Sequence, residues 1–164
     1  MADPVSKIKY GTSTAITITL ASLGSSATVG RESTAIDNST NRFIDALVRV
    51  TLKTDTGSIG NESAAYVYAY GSEDGTNYPE NITGSDAAYT QLSPTVLRLI
   101  GVVPLLAQST TYKSQPMSVA QAFGGRLPRK WGIVVRNYCG IAMTGTAGDH
   151  AAYYTGIQYE GVTS

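Results

Sequence analysis

The sequence predicts an all-β fold: an antiparallel β-sandwich of about eight strands with jelly-roll-like topology and at most one short helix, near residues 118–123. Three observations support this prediction. Residues 42–54 alternate apolar and polar side chains with the period of a strand that has one buried face. Only 15% of the residues are charged, whereas Thr, Tyr, Val and Gly are abundant. Clusters of Gly, Ser and Asn separate the apolar segments about every ten to twenty residues, as in sandwiches.

The strand over residues 42–54 is the one around which the fold is predicted to form. Its apolar residues share one parity, whereas a helix would scatter them around its axis. Residues 131–138 are the predicted partner across the core, because they contain the single tryptophan and the run Ile133, Val134, Val135. The side chains predicted to share one core are Ile44, Val48, Val50, Leu52, Leu99, Ile133, Val135 and Ile157.

The other elements follow from the same alternation and from turn residues. A first strand is predicted over residues 14–22, and a long loop over 23–41 is expected to cross between sheets. Asp74 and Gly75 predict a tight turn, and Ser118 is a candidate N-cap for the short helix, which Gly124 closes. Further strands are predicted at residues 64–70, 88–90, 96–103, 112–118, 140–144 and 151–159.

Residues 1–13 are predicted to form an N-terminal arm, and residues 14–164 a single domain. The segment lacks periodicity and ends in Tyr-Gly-Thr-Ser, so we expect it to gain order only against a neighbouring subunit. Ile8 and Tyr10 are its candidate contact residues, because they are the apolar side chains beside Lys7 and Lys9.

Charge and cysteine content exclude several classes of protein. Lys plus Arg and Asp plus Glu number 12 each, so the net charge is zero and the basic footprint of a nucleic-acid binder is missing. The single cysteine, Cys139, excludes an internal disulfide and a cysteine-based zinc site. No apolar stretch approaches a membrane span, and the polar start lacks the apolar region of a secretory signal, so we expect a soluble protein made in a cytoplasm.

No motif in the sequence predicts catalysis, a metal or a cofactor. His150 is the single histidine, and the sequence contains no nucleophile-elbow motif that would give it a catalytic serine partner. We therefore expect it to be a loop or strand-edge residue. Residues 55–62 are rich in oxygen ligands but lack the spacing of a calcium loop. The glycines near residue 124 lack the strand and helix of a phosphate loop. We therefore expect a protein that is not an enzyme and has no cofactor.

A stripe of tyrosines lies on one face of the strand predicted over residues 64–70. Tyr66, Tyr68 and Tyr70 alternate with Ala65, Val67 and Ala69, so the rings share a face. Such a stripe can form a cross-strand ladder or a protein contact, and it can also stack on sugar rings. With Ile8 and Tyr10, these tyrosines make up the predicted contact surface.

Three segments together resemble a known group of proteins. Residues 35–50, residues 70–78 and residues 123–138 have an order and spacing similar to those of small β-sandwich virion proteins of tailed bacteriophages, over roughly residues 30–160. The resemblance implies a structural role without a cofactor, in which the protein decorates or cements the capsid shell, and relatives serve in tails and baseplates. The implied partners are the major capsid protein or other virion proteins, and the implied location is the virion, after synthesis in the host cytoplasm.

Residue-level reasoning is compatible with this role and leaves a second one open. A neutral sandwich with exposed strand edges is expected to form a dimer or trimer and to bind a shell through strand edges and flat aromatic surfaces. The alternative is a receptor-binding or carbohydrate-binding module of the tail or baseplate, with the tyrosine stripe as its site.

Overall fold

Two antiparallel β-sheets pack face to face in the computed structural model, which describes residues 5–60 and 62–162. Eleven strands are present in these ranges, and the longest are at the two ends of the chain and in the sheet centres. In chain order they are β1 (Val5–Ala15), β2 (Val29–Glu32), β3 (Ile36–Asp37), β4 (Asp45–Lys53), β5 (Ala64–Ser72), β6 (Ala87–Thr90), β7 (Arg98–Pro104), β8 (Thr111–Lys113), β9 (Met117–Ser118), β10 (Lys130–Tyr138) and β11 (Ala151–Val162).

The strand order is that of a jelly roll. Sheet A has the order β1-β11-β4-β8, with β9 also paired to β4, and sheet B has the order β6-β2-β10-β5-β7, with β3 also paired to β10. Pairs are nested from both ends of the chain, β1 with β11, β2 with β10, β4 with β8 and β5 with β7. When β3 is counted with β2 and β9 with β8, the main strands number eight and β6 is an addition. The predicted β-sandwich fold class is confirmed.

The core lies between the inward faces of the two sheets. Val48, Val50 and Leu52 of β4 are at most 1% exposed and face Ile133 and Val135 of β10, which are both fully buried. The predicted pairing of these two segments across the core is therefore confirmed. Ile44 and Ile157 were also predicted to be core residues, and both are only half-buried. Ile44 directly precedes β4, and Ile157 lies on the outward face of β11, so its prediction as a core residue is wrong.

Leu99 was predicted to lie in the core, and this prediction is wrong. Its side chain is 48% exposed. The pairing of β5 with β7 shifts register between Val67 and Tyr68, so that Tyr68 pairs with Leu99 and Val67 pairs with Gly101. The extra residue, Ile100, forms a β-bulge and takes the inward position that Leu99 would have had in a regular strand.

The N-terminal segment is part of sheet A, which corrects the predicted arm. Residues 5–13 belong to β1, and β1 pairs with β11 from Val5 opposite Val162 to Ala15 opposite Tyr153. The first four residues of the predicted arm lie outside the described residues. The strand predicted over residues 14–22 is also wrong, because the chain leaves the sheet after Ala15 and buries Ile16 and Leu20 from a loop.

Helical structure in the described residues is limited to two short 3₁₀ turns. Ala120–Phe123 lies where the short helix was predicted, and Ser118 Oγ accepts a hydrogen bond from the Gln121 N–H at 3.3 Å. The second turn, Ala147–Asp149, was not predicted. Across residues 5–60 and 62–162, no helix has the length and apolarity needed to cross a membrane.

Two local predictions near turns had different outcomes. The tight turn at Asp74-Gly75 is confirmed, and Gly75 has a φ of 79°, which glycine adopts without strain. The strand predicted over residues 140–144 is absent, and that segment contributes one isolated bridge between Thr54 and Met143.

Replacing Val48 by Asp tests the inward face of β4. We expect the free energy of unfolding to fall by about 3 kcal/mol or more, because an unpaired carboxylate would replace a side chain that is fully buried. Thermal unfolding should show a melting temperature lower by about 10 °C.

The matched control is Arg49→Asp, on the outward face of the same strand. Its effect should stay within about 0.5 kcal/mol. Equal melting temperatures for Val48→Asp and the native protein would contradict the assigned face.

Candidate interaction surface

Four apolar side chains form a block on the outward face of sheet A, which we call the β1–β11 patch. Ile8 lies opposite Tyr159 and Tyr10 lies opposite Ile157. The patch faces away from the core because Tyr154 and Gly156, at the alternate positions of β11, lie opposite Val48 and Ala46. Ile8, Tyr10 and Tyr159 are 59%, 63% and 63% exposed, and Ile157 is half-buried. The structure thus brings the two predicted contact residues of the N-terminal segment together with two residues that sequence reasoning did not select.

The patch lies beside an open strand edge. β1 is the terminal strand of sheet A and pairs only with β11 among the described strands. Lys9 Nζ lies 2.6 Å from Glu160 Oε1 in an exposed ion pair, which contributes little to stability. Lysines and a register shift between Tyr10 and Ser13 are features that restrain uncontrolled edge pairing. The edge can still accept a strand of another protein that suits this shape.

The tyrosine stripe occupies the outward face of sheet B but is not an exposed surface, which corrects the predicted contact surface. Tyr66 is half-buried, Tyr68 is 9% exposed and Tyr70 is 1% exposed. Residues 73–97, which we call the covering loop, fold over this face. The rings belong to a second apolar cluster whose buried members are Tyr68, Tyr70, Ile82, Tyr89, Leu97 and Val134.

Tyr70 fixes the stripe to the sheet beneath the covering loop. Its hydroxyl donates a hydrogen bond of 2.5 Å to the Ser33 carbonyl oxygen, and its ring meets Tyr78 edge-on at 5.7 Å. Burial raises the pKa of the Tyr70 hydroxyl above its usual value. The ring lies against Gly132, where an added Cβ would be 2.3 Å from Tyr70 Cζ, so any larger residue would displace the ring.

Arg136 covers the remaining tyrosine, Tyr66. Its guanidinium carbon lies 4.9 Å from the centre of the Tyr66 ring and 5.4 Å from that of Tyr68. The same guanidinium donates to the Ala27 carbonyl oxygen at 2.7 Å and to the Gln91 side-chain oxygen. A sugar could therefore stack on these tyrosines only if Arg136 and the covering loop moved away.

Glu32 anchors the covering loop from below. It is 1% exposed, and its carboxylate accepts hydrogen bonds from the backbone N–H groups of Thr83 and Gly84 and from the Thr83 hydroxyl, at 2.9 to 3.2 Å. A buried carboxylate is tolerated only when it is hydrogen-bonded in this way. This bonding holds the middle of the covering loop on sheet B.

Glu80 organises the second half of the same loop. Its carboxylate accepts from the Thr95 hydroxyl at 2.6 Å, from the Val96 N–H at 2.7 Å and from the Tyr89 hydroxyl. Burial alone would raise the pKa of Glu80, but the hydrogen bonds outweigh it and lower the pKa below its usual value. The loop is therefore held by its own polar groups as well as by apolar packing.

Asp86 joins the covering loop to the first part of the chain. It accepts from the Thr19 N–H at 3.0 Å, from the Thr19 hydroxyl at 2.5 Å and from Arg31 Nε at 2.6 Å. Burial would raise the pKa of Asp86, but the hydrogen bonds from Arg31 and Thr19 and the Arg31 charge lower it overall. Sequence reasoning missed Glu32, Glu80 and Asp86, because an acidic residue flanked by Ser, Thr and Asn looks like an ordinary loop residue.

His150 and Cys139 take part in local structural contacts. His150 Nδ1 accepts from the Lys53 N–H at 3.4 Å, and Nε2 lies 3.0 Å from the Thr144 carbonyl oxygen. Cys139 is fully buried, and its Sγ lies 3.4 Å from the Ile141 carbonyl oxygen. These contacts occupy both imidazole nitrogens and keep the thiol away from solvent.

No potential metal cluster is found in the described ranges, where no three His, Cys, Asp or Glu side chains converge. In the oxygen-rich segment 55–62, the Asp55 carboxylate accepts a hydrogen bond from the adjacent Thr56 N–H at 2.8 Å. Asn61, within that segment, lies outside the described residues.

Comparison of the chain with models of known protein families, with curated proteins and with solved structures gave no match.

Replacing Glu32 by Ala tests how the covering loop is held. The change removes the buried carboxylate that accepts hydrogen bonds from the N–H groups of Thr83 and Gly84, so we expect a loss of about 2 kcal/mol or more in the free energy of unfolding. Hydrogen exchange followed by NMR should become faster at Thr83 and Gly84, while amides of β4 exchange as before. Glu73→Ala, at an exposed site at the start of the loop, is the matched control and should leave exchange unchanged. Unaltered exchange in Glu32→Ala would show that apolar packing alone holds the loop.

Asp86 predicts how stability depends on pH. Because its pKa is lower in the folded than in the unfolded protein, its contribution is complete above the unfolded value and is lost as pH falls through the folded value. Stability measured by urea unfolding should therefore decrease below about pH 4. Asp86→Asn should be less stable at neutral pH and show a flatter decrease in that window, whereas the exposed-site control Glu73→Gln should follow the native curve. A native-like slope for Asp86→Asn would contradict the prediction.

Proposed function

We propose that this protein is a non-enzymatic structural component of a bacteriophage virion, a capsid decoration or cement protein that binds the shell of the major capsid protein and stabilises it. The observation that supports the proposal best is the β1–β11 patch beside the open edge of β1. The resemblance of three sequence segments to small virion proteins of tailed bacteriophages is the reason for proposing a location in the virion.

The shape of the patch suits a contact with another protein surface. Ile8, Tyr10 and Tyr159 project from paired strands of one sheet, so they present a flat apolar area held by a rigid support. Tyrosine is enriched at interfaces because its ring buries much area while its hydroxyl stays hydrogen-bonded. A small contact of this kind is weak by itself, and repetition over a shell multiplies it.

The charge distribution fits contacts made by shape and apolar burial. With 12 positive and 12 negative side chains, the chain has no net field to steer it toward nucleic acid. The same open edge of β1 would allow the chain to associate as a dimer or trimer, because terminal strands offer unpaired N–H and C=O groups.

A position in the tail or baseplate is the alternative within the same proposal. Quantitative mass spectrometry of purified particles would separate the two positions. Many copies that scale with the major capsid protein support the shell, a few copies that scale with a tail protein support the tail, and absence from the particle would refute both.

The double variant Ile8→Ser/Tyr10→Ser tests the patch as the contact with the particle. Both side chains are exposed, so the melting temperature of the free protein should change little. Incorporation into particles should fall at least tenfold, because burial of either side chain contributes about 1.5 to 3 kcal/mol and about 1.4 kcal/mol corresponds to a factor of ten.

A competition assay between variant and native protein during particle assembly measures this effect. Val96→Ser/Leu106→Ser is the matched control, since these side chains are 65% and 70% exposed and lie outside the patch. Equal incorporation of the patch variant and the native protein would overturn the assignment of the patch, as would an equal loss in the control.

A further inference from the structure

An open cleft of about 460 Å³ lies on the outward face of sheet A, separate from the β1–β11 patch. Its lining residues come from β1, β4, β8, β11 and the residue after β8, and none of them belongs to the patch. They include Ser13, Arg49, Thr51, Lys113, Ser114 and Tyr153.

Strand register brings the two cations of the cleft together. Arg49 lies opposite Tyr153, and Thr51 lies opposite Lys113. Arg49 and Thr51 are two residues apart on β4, so Lys113 is the diagonal neighbour of Arg49 on the same face. Both long side chains can therefore reach one bound group.

The cleft offers hydrogen-bond donors but no carboxylate. The ion pairs found among the described residues use Lys9, Arg31 and Lys53, so Arg49 and Lys113 have no acidic partner there. Ser114 Oγ accepts from the Val50 N–H at 2.9 Å, and its own O–H has no acceptor within the described part of the chain. A surface of unpaired cations and free hydroxyls is complementary to an anionic, oxygen-rich ligand.

Tyr153 narrows the chemical class of that ligand. Its side chain is 44% exposed at the wall of the cleft, directly opposite Arg49. A flat aromatic face beside hydrogen-bonding groups suits the apolar face of a sugar ring, whereas a lone phosphate would leave both the ring and much of the cleft unused.

We propose that this cleft binds an acidic saccharide unit, whose carboxylate is held by Arg49 and Lys113 while its ring lies on Tyr153 and its hydroxyls meet Ser13, Thr51 and Ser114. This site is independent of the shell contact proposed above, because the cleft and the patch share no residue. It would give the protein a means of holding acidic glycans while the patch is occupied.

Titration of the ¹⁵N-labelled full chain with tri-galacturonate tests the proposal. We expect resonances of β4 around Arg49, of Lys113 and Ser114 and of Tyr153 to shift in a saturable manner. The methyl ester of the same oligosaccharide keeps the rings and removes the charge, so it should bind at least about tenfold more weakly.

Variants show whether the cleft itself is responsible. Arg49→Gln and Lys113→Gln should each weaken binding about tenfold, and Tyr153→Ala should weaken it several-fold, with the spectra of the free proteins otherwise retained. Arg98→Gln, an exposed arginine of β7 in the other sheet, is the matched control and should bind like the native chain.

Three results would overturn the proposal. One is the absence of saturable shifts at tens of millimolar tri-galacturonate. Another is equal affinity for inorganic phosphate, which would show a response to charge alone. The third is tighter binding of a poly-glutamate peptide through the same residues, which would make the cleft a site for acidic protein segments.

Discussion

Strand β10 has to be buried on both faces, and most of the architecture depends on that constraint. Its inward side chains Trp131, Ile133 and Val135 are fully buried against sheet A, and its outward Val134 is 1% exposed beneath the covering loop. β5 pairs with it along its whole length on one side, and β2 and β3 pair with it on the other. A strand enclosed in this way needs a layer on each face, which explains why a two-sheet sandwich carries a third, loop-built layer.

The two apolar clusters on either side of sheet B are stabilised in different ways. The inner cluster is almost entirely hydrocarbon and aromatic, and Trp131 meets Tyr154 of the opposite sheet edge-on at 5.2 Å. The outer cluster is smaller and relies on polar anchors, because the parts of the covering loop outside β6 lack strand pairing and their N–H groups need other acceptors. Glu32 and Glu80 accept hydrogen bonds from those groups, and Tyr70 joins the cluster to the sheet. Carboxylates in this layer therefore replace the backbone partners that a further strand would have provided.

The fold class and the central strands β4, β5, β10 and β11 could be predicted from the sequence. The residues of β4, β5 and β11 alternate with a period of two, and β10 contains the continuous apolar run typical of a strand buried on both faces. β1 could not be recognised as a strand, because side chains on both of its faces are exposed to solvent at the edge of sheet A. Its register with β11 also shifts between Tyr10 and Ser13. The exposure of Leu99 also could not be predicted, because a bulge depends on the pairing partner and not on the strand's own residues. Burial of the tyrosine stripe depends on a loop whose weak pattern gives no sign of where it folds.

The candidate surfaces could also be predicted only in part from the sequence. Ile8 and Tyr10 were selected from composition alone, but their neighbours Ile157 and Tyr159 become visible only through the register of β1 with β11. The cleft could not have been predicted at all, because Arg49, Lys113 and Tyr153 are far apart in sequence and meet only across three strands. Sequence patterns indicate which face of a strand is exposed to solvent. The register of strand pairing, which joins residues far apart in sequence, determines which exposed residues become neighbours.

The pairing of Val5 with Val162 places the first and last strands of the described chain side by side. A flexible linker could therefore join Val5 to Val162, and new ends could be opened in the segment between β4 and β5 without cutting a strand. Such a circular permutant would retain both sheets. Its new ends would lie away from the β1–β11 patch, so that a fused cargo could be carried at the opposite side of the molecule.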